Sequence, residues 1–319
     1  MKKLVLTAVC AVLLGAPASA VTIDWVTVGD PGNACDVQFN RCFGAVARTY
    51  RVSKTEVTNT QYVEFLNAAD PTGANMLALY SASMGSDATF GGINFVGGNP
   101  NGSKYVVKSG FASKPVNYVS VYDSFRFANW LHNGQGSGDT ETGAYTLLGG
   151  TPNPSNGLTV TRNAGATIFL TTEDEWYKAA YYDPISTSYF RYPAGSSAQT
   201  ACAAPGATAN TANCNGVVGE LTDVGSYTGS ASPNGTFDQG GNVDEWSETI
   251  IGINGRVFRG GSFDFGHPLI LSKTIQGNAF PTGSNDSFGF RVAALPEPGS
   301  GLLLTTGMLG LAAWRGHNA

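Results

Sequence analysis

Apolar residues recur at intervals of three and four positions in three stretches of the chain, which is the period of an amphipathic helix. Each stretch follows a Ser or Thr that has an acid or amide three positions later, a pair that satisfies the free amides at a helix start. The pairs are Thr58 with Gln61, Ser120 with Asp123, and Thr172 with Glu175. The pattern predicts three helices whose buried faces carry Tyr62, Phe125 and Trp176.

Short β-prone pieces lie between the predicted helices, at 50–52, 105–107 and 167–170. The segments 81–104 and 194–235 are rich in Gly, Asn and Ser, and they far exceed the roughly 4–6 residues of a usual connection. Loops of this length in a compact domain need disulfides, a metal or a function to hold them. We therefore predict one α+β domain over 46–294, loop-rich and with little regular structure.

Composition and charge narrow the class of protein. Only 13% of residues are charged, against 42% hydrophobic, which is unlike a coiled coil or helical bundle. The chain has 17 Phe, 13 Tyr and 5 Trp, which argues against disorder. Its net charge is −5, and without the two ends the segment 21–294 keeps 15 basic and 22 acidic residues. An acidic domain without a basic run argues against nucleic acid as a partner and is compatible with cation binding.

The first 20 residues have the pattern of a secretory signal. Lys2 and Lys3 precede the apolar stretch 4–14, and small residues at 18–20 form a cleavage site. The alternative is a buried N-terminal helix. The pattern predicts export and a mature chain that starts with the segment 21–45.

Four cysteines remain after removal of such a signal: Cys35, Cys42, Cys202 and Cys214. An oxidising compartment favours disulfides. Pairing of nearest neighbours closes two short loops, and sequence alone leaves the other two pairings open. The absence of a CxxC motif and the presence of only three histidines argue against a Cys/His zinc site.

The C-terminal segment 295–319 has three parts. Pro296, Glu297 and Pro298 precede the nearly uncharged run 301–314, and Arg315 follows. The run is short for a membrane span but long enough for transient membrane contact. This arrangement resembles the PEP-CTERM sorting signal of Gram-negative bacteria, which implies processing by an exosortase at the cell envelope. The alternative is a hydrophobic tail docked on the domain.

Seven segments of the domain, taken in order, resemble motifs of the formylglycine-generating enzyme family, also called sulfatase-modifying factors. They are SKTEVTN at 53–59, KPVNYVS at 114–120, LTTEDEW at 170–176, YPAG at 192–195, GGNVDEW at 240–246, RGGS at 259–262 and GFR at 289–291. The resemblance implies a variant of the C-type lectin fold. It also implies an oxidase that converts a peptidyl cysteine to formylglycine with O2 and copper.

The copper-binding cysteines of that family correspond to Phe265 and Ile270 in this chain. Neither residue supplies the thiolate that Cu(I) requires, so copper is not expected here. Asp264 and His267 could form an acid/base couple, but only Ser262 lies nearby as a nucleophile. We therefore assign no catalytic residue.

Calcium is the metal that the resemblance supports. The family's ligand positions correspond to the side chains of Asp238 and Glu245 and to the carbonyls of Gly241 and Val243. Hard oxygen donors from a loop suit Ca2+. The alternative is that the two carboxylates accept hydrogen bonds from loop amides.

A second calcium site is implied at Asn213 and the carbonyl of Cys214, with Asp223 or Glu220 as the later carboxylate. Two other residues stand out. Asp244 occupies a position where the family usually has Trp, and it could be a further ligand or face water. Arg291 is expected to pair with a buried carboxylate such as Glu175 or Glu56, or else to be solvated.

The sequence thus favours an exported, non-catalytic member of this family. It would be stabilised by calcium and would act in the bacterial envelope as a binding or matrix protein, for exopolysaccharide or for another envelope protein. The alternatives are a formylglycine-generating oxidase and a purely structural surface protein.

Overall fold

Short elements separated by loops make up the computed structural model, which describes residues 20–39, 41–136 and 139–296. The expected signal up to residue 19 and the sorting tail from residue 297 lie outside the described residues. The helices are α1 (Asn59–Ala69), α2 (Ala82–Ser86), α3 (Val121–His132) and α4 (Glu173–Tyr181). Two 3-10 turns span Gly157–Thr159 and Pro268–Leu271.

The strands are two to eight residues long. They are β1 (Trp25–Val28), β2 (Asp36–Gln38), β3 (Arg41–Phe43), β4 (Tyr50–Ser53), β5 (Ile93–Phe95), β6 (Tyr105–Val107), β7 (Ile168–Leu170), β8 (Tyr182–Asp183), β9 (Ser188–Tyr189), β10 (Ala201–Cys202), β11 (Thr211–Ala212), β12 (Asp244–Ile251), β13 (Gly255–Arg259), β14 (Gly277–Ala279), β15 (Phe288–Phe290) and β16 (Val292–Ala294).

The three predicted helices are confirmed as α1, α3 and α4, and each begins with a complete capping box. Thr58, Ser120 and Thr172 accept the amide three residues on, and the side chain at that position accepts the cap residue's own amide. Helix α2 was not predicted. Ser81 caps it inside the segment 81–104, which was expected to be a loop.

Two four-stranded sheets organise the domain. One has the order β1-β4-β16-β7 and brings the start of the described chain against its end. The other has the order β14-β13-β12-β15, in which β12 pairs antiparallel with β13 and parallel with β15. The longest strand, β12, therefore lies inside a sheet and is covered by α3 and α4.

Aromatic residues of α1 and α3 form the main core. The rings of Tyr62 and Phe65 pack on Phe127, and Phe290 of β15 closes the group. All four are completely buried. A side chain of this kind contributes roughly 1.5–3 kcal/mol when it leaves water, which explains how few regular elements suffice.

Two disulfides hold loop regions, and both follow the nearest-neighbour pairing. Cys35–Cys42 closes the hairpin of β2 and β3, and Cys202–Cys214 links the neighbourhood of β10 and β11. Disulfides form and persist in oxidising compartments, so these two are consistent with an exported protein. Within the described residues, no helix is long and apolar enough to cross a membrane.

Candidate functional site

Strand β12 begins with two consecutive carboxylates, Asp244 and Glu245. Successive side chains point to opposite faces of a strand, so the two carboxylates lie on different sides of the sheet. Both residues are buried, with exposed fractions of 3% and 0%. The strand therefore creates two separate electrostatic environments, one on each face of the sheet.

Glu245 forms a buried, bidentate ion pair with Arg291. Arg291 Nε is 2.5 Å from Glu245 Oε2, and Arg291 Nη2 is 2.7 Å from Oε1. The indole Nε1 of Trp176 donates to Oε2 at 2.7 Å. Fork-to-fork pairing of this kind is both strong and geometrically specific. We call Glu245, Arg291 and Trp176 the ion-pair centre.

Arg291 pairs with a buried carboxylate, as the sequence predicts, but the two examples named from sequence, Glu175 and Glu56, are wrong: the partner is Glu245. The carboxylate of Glu175 instead binds Arg48 and Arg162, each at 2.7 Å. Pairing of β12 with β15 brings Arg291 to Glu245, because Gly289 lies opposite Glu245 and Arg291 follows two residues later. Sequence spacing cannot reveal such a contact between two residues 46 positions apart.

Two further carboxylates lie close enough to the ion-pair centre to feel its charge. Glu56 is 1% exposed, and neither of its carboxylate oxygens has a hydrogen-bond partner from another described residue. Burial, together with the charges of Asp238 and Glu245, raises the pKa of Glu56 well above its usual range. Burial likewise raises the pKa of Asp238 to about 6. When ionised together, the three carboxylates place an excess of negative charge around one guanidinium, which either protonation or a bound cation would relieve.

Asp238 also lines a small polar cavity of about 20 Å³, together with Thr236, Gln239 and Thr211. Such a volume holds about one water molecule or ion. Asp238 Oδ2 accepts a hydrogen bond from the amide of Gly225 at 2.5 Å. The oxygen-rich lining and the excess negative charge fit a hard cation. Glu56 was not among the residues singled out for calcium, although its position in the motif 53–59 was known.

The loop that carries Gly241 and Val243 contacts Asn213, the first residue of the second candidate calcium set, through its backbone. The carbonyl of Asn213 accepts the amide of Asn242 at 2.9 Å. Gly241 has φ +89°, and a Cβ there would lie 2.2 Å from that same carbonyl, so only glycine fits. Val243 is completely buried beside Gly241. The two candidate sets are therefore adjacent in space.

The second candidate set is only partly drawn together. Asn213 is buried, and its Oδ1 has no hydrogen-bond partner among the described residues, as a ligand oxygen would. The carbonyl of Cys214 accepts the amide of Val217 at 3.2 Å, and Asp223 is exposed. Glu220 is bound to Lys114 at 2.7 Å. Within the described chain, no three His, Cys, Asp or Glu side chains are grouped to hold a metal, so backbone and amide oxygens would have to contribute.

On the other face of the sheet, Asp244 lines a pocket of about 130 Å³. Phe265 and Ile270, the positions of the copper-binding cysteines in the oxidases, form part of its wall. Burial raises the pKa of Asp244 to about 7, partly offset by a hydrogen bond from the amide of Gly261. All four cysteines of the described residues are in disulfides, so none of them presents a thiol to this pocket.

Asp264 and His267 have other partners than each other. Asp264 Oδ1 accepts the hydroxyl of Ser262 at 2.7 Å. His267 is exposed, and its Nδ1 accepts the amide of Leu269 at 3.1 Å, where it caps a 3-10 turn. These contacts stabilise the loop between β13 and the second 3-10 turn.

The family model of the sulfatase-modifying factor enzyme 1-like domain matches residues 44–295. The chain belongs to this family. Members share the fold seen here, a mixed α+β domain of the C-type lectin type with short strands and few helices, so the fold class predicted from sequence is confirmed.

Solved structures agree with this family assignment at the level of the fold. The crystal structure of CarF is 21% identical, with a TM-score of 0.60, and the match covers 87% of this chain and 100% of CarF. Variable protein 1 of Treponema denticola is 19% identical, with a TM-score of 0.55, and the match covers 88% of this chain and 98% of that protein. No match was found among curated proteins.

Proposed function

We propose that this sulfatase-modifying factor domain is a non-catalytic binding or matrix protein of the bacterial envelope, stabilised by calcium. The observation that carries the proposal is the pocket of Asp244. At the positions where the oxidases hold copper, this chain has Phe265 and Ile270. Cu(I) is held by soft ligands such as thiolates, and two hydrocarbon side chains cannot replace them.

The surface around the pocket supports a binding role. A second cavity, of about 260 Å³, shares Arg259 and Gln276 with the Asp244 pocket and is lined by Phe39. Phe39 and Phe265 are 96% and 50% exposed. Exposed aromatic side chains beside concave surface are typical of sites that bind a partner.

Calcium would be held by Asp238 with the carbonyls of Gly241 and Val243. Glu245, whose two oxygens bind Arg291 and Trp176, would contribute its nearby negative charge rather than a ligand oxygen. The adjacent set would use Asn213, the carbonyl of Cys214 and Asp223. A divalent cation would supply positive charge where Glu56, Asp238 and Glu245 exceed the single charge of Arg291. It would also join the loop before β12 to the loop after β11.

The signal pattern and the two disulfides support export, and the PEP-CTERM-like tail supports processing by an exosortase. The tail run 301–314 would contact the membrane only transiently before cleavage. The partner in the envelope would be exopolysaccharide or another protein. Detection of the full-length chain in the cytoplasm of cells that contain an exosortase would contradict this part of the proposal.

The test is elemental analysis of the purified full-length chain after incubation with copper and calcium and subsequent desalting. We expect bound calcium without copper, and no conversion of a cysteine-containing sulfatase peptide to formylglycine under O2. Stoichiometric copper or formylglycine would overturn the proposal in favour of the oxidase. Absence of binding to envelope glycans and proteins would instead favour a purely structural surface protein.

A further inference from the structure

The pocket of Asp244 has the size of a single side chain. Its volume is about 130 Å³, whereas sites for whole drug-sized ligands usually measure roughly 300–1,000 Å³. It lies between β12, β13 and the segment that leads to β14. Four apolar side chains form most of its wall: Phe258, Phe265, Ile270 and Ile275.

Asp244 gives this apolar pocket one charged group. The residue is 97% buried, and its carboxylate accepts the amide of Gly261. The charged groups that act on it, Asp264 and Glu245, are both negative. Glu245 is neutralised by Arg291 on the far face of the sheet. An ionised carboxylate in these surroundings is costly unless a proton or an approaching cation neutralises it.

Arg259 also lines the pocket, but its donors are committed elsewhere. Its Nε and Nη2 bind Glu173 at 2.8 and 2.6 Å. Its Nη1 donates to the carbonyls of Ile275 and Lys273 at 2.7 and 3.2 Å. The guanidinium lies 5.0 Å from the ring centres of both Phe43 and Tyr177. Arg259 is therefore held in place as part of the pocket wall and is not the counter-ion of Asp244.

We propose that the Asp244 pocket binds an alkylammonium group of the lysine type, presented by a protein partner. The ammonium would meet the carboxylate of Asp244, and the methylene chain would lie against Phe265 and Ile270. This inference rests on the proposed function, because it treats the pocket as a binding site without copper.

The apolar wall favours a lysine side chain over an amino sugar. A lysine carries its charge on a flexible hydrocarbon stem that is readily buried against apolar surface. An amino sugar would bring several hydroxyl groups, and hydroxyls without hydrogen-bond partners disfavour such a site. A guanidinium needs a planar pair of acceptors, and Asp244 already uses part of its capacity on Gly261.

The test compares four probes on the full-length chain by ligand-detected NMR titration at pH 8 and low salt. They are n-butylammonium, n-butanol, butyrate and glucosamine. We expect n-butylammonium to bind at least about tenfold more tightly than the other three. Equal binding of the amine and the alcohol would overturn the proposal, and preferential binding of glucosamine would overturn the assignment to lysine. This comparison needs no variant.

Asp244→Asn should abolish the preference for the amine over the alcohol. Asp123→Asn is the matched control, because it removes a buried carboxylate from α3 and should leave the preference unchanged. Retention of the preference in Asp244→Asn would contradict the proposal. Formylglycine production in the separate oxidase assay would overturn the proposed function, whereas absence of amine preference in the wild-type chain, without such activity, overturns only this inference.

Discussion

Glu245 and Asp244 are consecutive residues of β12 and are almost equally buried, yet their surroundings differ completely. Glu245 meets a guanidinium in a bidentate pair and an indole N–H. Asp244 meets one backbone amide, an apolar wall and the negative charge of Asp264. The alternation of the strand is the cause, since it turns one carboxylate toward the interior and α4 and the other toward a surface pocket.

Whether the charge of a buried carboxylate is matched inside the protein distinguishes structural from functional carboxylates in this domain. A buried carboxylate whose charge is matched inside the protein serves the fold. A buried carboxylate whose charge is not matched takes up a proton, as burial favours for Asp123, or meets a ligand where it lines a pocket. By this criterion the ion-pair centre is structural, and the Asp244 pocket is the candidate binding site.

The largest expected effect follows from breaking the ion-pair centre. Glu245→Gln leaves the completely buried guanidinium of Arg291 without its charge partner, and a loss of this kind costs about 3–5 kcal/mol. Denaturant unfolding measures it. Glu220→Gln is the matched control: it removes a carboxylate, 51% exposed, that pairs with Lys114, and it should cost less than about 1 kcal/mol. Similar costs for both variants would contradict the assignment.

Calcium should give the next largest effect, because it would balance the carboxylates around Arg291. At about 100 times its dissociation constant, calcium should add about 2.7 kcal/mol to the free energy of unfolding. Asp238→Asn should remove most of this gain, while Asp139→Asn, a change at an exposed acid, should not. The measurement is thermal unfolding with calcium or with chelator. An unchanged melting temperature would count against the calcium site.

A third buried carboxylate, Asp123 of α3, tests how burial changes the pKa of a carboxyl group and thereby the pH dependence of stability. Burial raises its pKa from 3.8 to about 6, although Ser120 donates two hydrogen bonds to it. Between those values the folded chain holds a proton that the unfolded chain has lost. Stability should therefore fall as the pH rises from about 4 to about 6, by on the order of 2 kcal/mol.

Asp123→Asn should flatten that part of the stability curve, since the amide does not titrate. Measurements of the free energy of unfolding at several pH values would show the change. An identical pH dependence in wild type and Asp123→Asn would mean that Asp123 is already ionised in the fold. In that case the contrast between matched and unmatched buried carboxylates would rest only on the ion pair of Glu245 with Arg291.

Local signals made the helices predictable, and they offered the observed disulfide pairing as one of three. A capping box needs only four consecutive residues, so Thr58, Ser120 and Thr172 could be read from sequence. The two disulfides join cysteines that are 7 and 12 positions apart. Nearest-neighbour pairing is favoured because closing a short loop costs less chain entropy than closing a long one. The strand pieces at 50–52, 105–107 and 167–170 lie within β4, β6 and β7 or extend them by one residue.

The candidate site was less predictable because strand pairing creates it. Glu56, Glu245 and Arg291 meet only after β12 lies beside β15. The carboxylate oxygens of Glu56 and Oδ1 of Asn213 are buried without a hydrogen-bond partner among the other described residues, and this depends on packing that spacing does not encode. Asp244 could be singled out as unusual, yet its pocket depends on the chain returning at Ile270 and Ile275.

The smallest stability effect is expected at Asp244, and its smallness is informative. Asp244→Asn keeps an acceptor for the amide of Gly261 and leaves no cation unpaired, so its unfolding free energy should stay within about 1 kcal/mol of wild type. Denaturant unfolding beside Glu245→Gln measures the contrast between neighbouring residues. A loss of about 3 kcal/mol or more would show that Asp244 has an internal partner and serves the fold. A small change, combined with loss of amine binding, would separate the two carboxylates by role.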